Sequence, residues 1–153
     1  MSAMTKTLLA ALLWLSFVAT RAQAEDYDIL YQAKIAPDSE VARVEIRLSG
    51  ERLPSRLTLT LDPERHRSLR AARGLTVEGN TAVWKPREPE DSLHYEFVID
   101  EQKASGSYDS LLTDNWAILR SDKLVPPIAV RAPKGLEGKA ELQFMLPEEW
   151  SVA

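Results

Sequence analysis

The 153-residue chain carries 23 acidic and 19 basic side chains, a formal charge of −4, and no cysteine. This balance argues against a nucleic-acid partner, because phosphate backbones need a concentrated positive field. Without cysteine, stability must come from packing rather than from disulfides.

The first predicted element is a leader. "MSAMTK" contributes Lys6 and no acid, an apolar run follows from Leu8 to Ala19, and Ala22-Gln23-Ala24 supplies a small-x-small cleavage pattern. These features predict a secretory signal peptide over residues 1–24, cleaved after Ala24. The apolar run falls short of the roughly 20 residues that cross a bilayer. The expected product is one domain, residues 25–153, periplasmic or secreted, with no membrane span after signal removal. Its loss of Lys6 and Arg21 makes the product more acidic still.

Period-two alternation dominates from Tyr27 onward. "YDILYQAKI" reads as extended. "VARVEIRLS" puts Val44, Ile46 and Leu48 on one face and Arg43, Glu45 and Arg47 on the other. "RLTLTLD" turns Leu57, Leu59 and Leu61 inward. "LTVEGNTAVW" reads as a hairpin turning at Glu78-Gly79-Asn80. "LHYEFVID" aligns Leu93, Tyr95, Phe97 and Ile99, and "KAELQFMLP" aligns Ala140, Leu142, Phe144 and Leu146. Successive strand side chains point to opposite faces, so each pattern fits a sheet buried on one side. Many short strands with turn residues between them predict an all-β fold, an antiparallel β-sandwich of about seven to eight strands. "KPREPEDS" is expected to be a loop within the domain.

Residues suited to chemistry are sparse. His94 and Glu96 share a strand face, and His66 could join them only through folding. This is the best metal candidate in the chain, and it is also ordinary composition for a wet sheet face. "SGSYDS" lacks the glycine-flanked elbow of a serine nucleophile. Gly74, Gly79 and Gly106 stand apart, not in a phosphate-cradling loop. No catalytic residue, metal ligand or cofactor is therefore assigned, and the expectation is a non-enzyme. "PERHRSLRAARG" gathers Arg65, Arg67, Arg70 and Arg73. Anion binding is one reading, and a turn or short helical excursion with solvated arginines is the preferred one.

The aromatic residues point to contact rather than catalysis. Trp84 closes an alternating strand, as core tryptophans do. Trp116 lies in "LLTDNWAIL", where exposure is expected. Phe144, Leu146 and Trp150 are expected to form an apolar patch. These four, Trp116, Phe144, Leu146 and Trp150, are the predicted ligand or partner contacts.

The order "LHYEFVID…GSYDSLLTDNWAILRSDKLVPP…LQFMLPEEWSVA" resembles the N-terminal β-domain of the glycyl aminopeptidase family, gluzincin zinc metallopeptidases that often carry a PDZ domain. The matching pieces are Leu93–Asp100, Ser105–Leu119 and Glu141–Trp150. The family's aromatic, glycine-bearing loop after the third strand is replaced here by "LDPERHRSLRAARG", which keeps only Pro63. The resemblance implies zinc ligands in a later catalytic domain, none of which maps onto this chain. It makes "LPEEWSVA" the expected seam to that domain and the catalytic domain the expected partner. The alternative is a stand-alone periplasmic binding module for glycan or peptide, built on Trp116 and the loop 102–115.

Overall fold

The computed structural model describes residues 25–99, 101–102 and 105–152. Residues 1–24, over which the sequence predicts a signal peptide, lie outside the described residues. Twelve stretches of strand are present among them: β1 (Glu25–Lys34), β2 (Val41–Ser49), β3 (Arg56–Thr60), β4 (His66–Ala71), β5 (Leu75–Glu78), β6 (Thr81–Trp84), β7 (Glu90–Val98), β8 (Glu101–Gln102), β9 (Tyr108–Leu112), β10 (Ala117–Ile118), β11 (Ile128–Arg131) and β12 (Leu136–Met145). One helical turn, α1 (Ser121–Leu124), precedes β11.

The strands form a five-stranded sheet in the order β12-β1-β2-β7-β4, a four-stranded sheet in the order β11-β3-β6-β5, and a small β10-β9-β8 sheet. The first two face each other across one core. Tyr27, Ala33, Val44, Ile46, Leu48, Leu93, Tyr95 and Phe97 come from the larger sheet, and Leu57, Leu59, Ala82 and Trp84 from the smaller. These are the positions that alternation turns inward, so the hydrophobic effect selects the buried face. Each fully buried large apolar side chain contributes about 1.5–3 kcal/mol.

The all-β sandwich is as expected, and three details differ. Strands outnumber the expected seven or eight, because β4, β8, β9, β10 and β11 are short or lack clean alternation. The basic cluster is a strand, β4, not a helical excursion, and Arg65 before it is buried at 4% exposure. The sheets are antiparallel except that β12 runs parallel to β1, from Glu25 opposite Leu136 to Lys34 opposite Met145. Parallel neighbours require a long crossover, and here β2 to β11 supply it. Gly138 accommodates this pairing: a Cβ there would lie 2.7 Å from Cζ of buried Tyr27.

Candidate functional site

A groove of about 660 Å³ opens at one end of the sandwich. One wall is the end of β12 and the turn after it, with Phe144, Leu146, Trp150 and Val152. The opposite wall is the segment after β9, with Trp116, Ile118 and Leu119. The four predicted contact residues thus line a single concavity, although they come from two distant parts of the chain. Phe144, Leu146 and Trp150 are half-buried against the core cluster. Trp116 is 46% exposed, Ile118 61% and Val152 69%.

Local hydrogen bonds position the tryptophans. Thr113 Oγ1 accepts the amide of Trp116 at 3.0 Å, and its hydroxyl donates to the Trp116 carbonyl at 2.8 Å. Such hydroxyl–backbone bonds fix a tight turn, and this one presents Trp116 at the rim. On the other wall the Trp150 amide donates to the Pro147 carbonyl at 2.9 Å.

Two residues of the basic segment hold the second wall in place. Arg65 Nη2 donates to Ser110 Oγ at 2.6 Å and to the Val98 carbonyl at 3.0 Å, and Nη1 pairs with Asp109 Oδ2 at 3.2 Å. Its guanidinium lies 4.2 Å from the Phe97 ring centroid. A buried guanidinium is tolerated only where its donors are satisfied, and here the same bonds tie β9 to β7. Arg120, itself held by Asp122, reaches Asp109 Oδ1 at 3.9 Å.

His66 acts beside it. Its Nδ1 accepts the Asp62 amide at 3.0 Å, which leaves Nε2–H to donate to the Lys123 carbonyl at 3.0 Å. Tyr95 packs edge-on against this ring and donates its hydroxyl to the Leu124 carbonyl at 2.9 Å. Together they anchor α1, next to groove residues Leu119 and Ser121. Burial pushes the Tyr95 phenol well above its ordinary value, with Tyr31 adding to the shift, so it stays a donor.

Burial also lowers the His66 pKa, against smaller opposing contributions from the backbone bonds to Lys123 and Asp62. The unfolded chain then takes up a proton near the ordinary value of about 6.5, before the folded chain does. Stability should be flat above about pH 7.5 and fall as pH drops through 6.5, levelling off below the lowered folded pKa. Urea titrations across that window should show the slope, and His66→Gln should flatten it. An equal slope in the variant would remove His66 as its source.

His66 does not meet the other members of the metal candidate. It pairs with Phe97 on the inner face of the large sheet, while His94 and Glu96 occupy outward positions on β7. Among the described residues no group of three His, Cys, Asp or Glu side chains is placed to hold a metal. Arg65, His66 and Asp109 were missed as positioning residues. The available signal was "DPERH", a turn carrying two polar residues into a strand.

Compared with family models and with curated proteins, the chain matches none.

Proposed function

We propose that this chain is an exported, non-catalytic β-sandwich that packs through its groove against another protein domain, in the manner of the N-terminal domain of a zinc aminopeptidase. The convergence of Trp116, Phe144, Leu146 and Trp150 on one groove carries this reading. Aliphatic Ile35, Ile118, Leu119 and Val152 complete the apolar lining of the groove. That lining suits apolar protein surface better than sugar hydroxyls, which need a dense set of polar partners. Glu148 and Glu149 follow Leu146 and Pro147, and among the described residues no ion pair engages them. Such a groove suits an apolar protein face with a basic rim, and the sequence resemblance makes a peptidase catalytic domain the proposed owner of that face.

A gluzincin catalytic domain added in trans should quench tryptophan fluorescence saturably. Ile118→Asp should weaken the complex by about tenfold or more, since truncating or charging a central apolar anchor removes at least about 1.4 kcal/mol. Ile118 is exposed, so the thermal midpoint should hardly move. Absence of any complex would sink this reading. The half-exposed Trp116 ring supports a second one, a glycan or peptide module. Array binding lost in Trp116→Ala at unchanged stability would favour it.

A further inference from the structure

The outer face of the five-stranded sheet carries a separate feature. Register places Lys34 of β1 opposite Arg43 of β2, Arg43 opposite Glu96 of β7, and Glu96 opposite Arg67 of β4. The adjoining row runs Gln32, Glu45, His94, Arg70. Residues paired across strands share a face, so Lys34, Arg43, Arg67 and Arg70 all lie on the same side of the sheet.

Regular alternation would not bring the last two together. Residues three apart on a strand point to opposite faces. A register shift between Arg67 and Arg70 inserts one extra residue, and Ser68 takes φ 57° there. That conformation is unusual for any residue but glycine. Bulges re-aim side chains and recur beside binding sites, and strained backbone is concentrated at functional positions. Here the bulge turns two arginines outward while Leu69 packs against the core.

The acids of these two rows, Glu45 and Glu96, are already engaged. Glu45 accepts Arg47 Nη2 at 2.9 Å, and Glu96 accepts the Ser68 hydroxyl at 3.0 Å. Among the described residues no ion pair engages Lys34, Arg43, Arg67 or Arg70. Like charges directly opposite, such as Lys34 and Arg43, destabilise a sheet. Between them lies a concavity of about 340 Å³, whose charged and polar lining is Gln32, Lys34, Arg43, Arg70 and His94 together with the carboxylates Glu45 and Glu96.

We propose that this concavity binds a single phosphate group, gripped by Arg43 and Arg70 with Lys34 as a third positive charge. Guanidinium forks match phosphate oxygens in pairs, and an ammonium adds a point charge. Glu45 and Glu96 in the lining and the acidic remainder of the chain disfavour a dense polyanion. The group is carried either as a free phosphate or as a lipid headgroup.

Inorganic phosphate titrated at low ionic strength should shift the arginine Nε–Hε resonances of Arg43 and Arg70 saturably. Sedimentation with phosphatidylcholine vesicles containing phosphatidic acid is the parallel arm. Saturation by phosphate alone assigns a soluble ligand, and vesicle binding with weak free-phosphate affinity assigns a headgroup. In Arg43→Gln/Arg70→Gln the affinity should drop by at least about tenfold, given what bonds to charged groups contribute. Both positions are exposed, and circular dichroism should confirm an intact fold. The charge-matched Arg131→Gln/Lys134→Gln should bind as the parent does. No response in either arm, or equal loss in the two double variants, would overturn the proposal.

Discussion

Replacing Arg65 with methionine should lower the unfolding free energy by about 3–5 kcal/mol, the range expected when one partner of a buried ion pair is removed. The side chain of Asp109 is 7% exposed and would lose its 3.2 Å pairing with Arg65, while Arg120 stands farther off at 3.9 Å. The carbonyls of Val98 and Ile99 and the Ser110 hydroxyl would also lose a buried donor. Buried polar groups left unpartnered account for much of such a cost. Adding Asp109→Leu should recover part of it, because an apolar replacement removes the buried charge that Arg65 offsets. Urea unfolding of the single and double variants measures both effects. A single-variant cost below about 1 kcal/mol would mean that water reaches these groups and that Arg65 is not a staple. Hydrogen exchange adds a local readout: amides of 109–118 should lose protection first, since Arg65 anchors that wall of the groove.

Trp84→Ala should be comparably severe, at about 3–5 kcal/mol. Trp84 is fully buried at the junction of the two core layers, opposite Leu57 of β3 and Leu75 of β5. Its truncation leaves a cavity that a β-sheet core cannot collapse to fill. The indole also has a cost of its own, for its Nε1–H is buried with no acceptor among the described residues. An unmet donor in a low-dielectric interior opposes stability by about 1–3 kcal/mol. Trp84→Phe removes that donor and keeps an aromatic ring, so its loss should be well below that of alanine. Equal midpoints for Phe and Ala variants in chemical unfolding would show that ring packing contributes little at this site.

The core strands were legible because alternation is a local code. Val44, Ile46 and Leu48 declare the inward face of β2 without reference to any other segment, and Leu93, Tyr95 and Phe97 do the same for β7. β4 escaped because Arg67 and Arg70 dominate its composition and its bulge breaks the period of two. A spacing of three cannot be assigned to one face until the partner strand fixes the register. The roles of Arg65 and His66 were hidden for a related reason: apart from the Asp62 amide, the partners named above lie between Tyr95 and Lys123, and proximity across that interval is a property of the folded sheets. The groove residues could be named individually from exposure and patterning. Their meeting could not, since it depends on where the β9–β10 segment is pinned. The parallel placement of β12 was equally invisible, because strand direction leaves no trace in side-chain alternation.

The pairing of β1 with β12 also bears on how the molecule assembles. Its contacts join residues more than a hundred positions apart, so ring closure of the backbone must precede them, and such topologies fold slowly. Until Leu136–Met145 docks, the edge of β1 away from β2 presents the unpaired amides and carbonyls of alternate residues along its ten-residue length, a template for edge-to-edge aggregation. A chain ending before Leu136 should therefore gain thioflavin-positive material on incubation, seeded at Glu25–Lys34, while the rest of the sandwich is already paired.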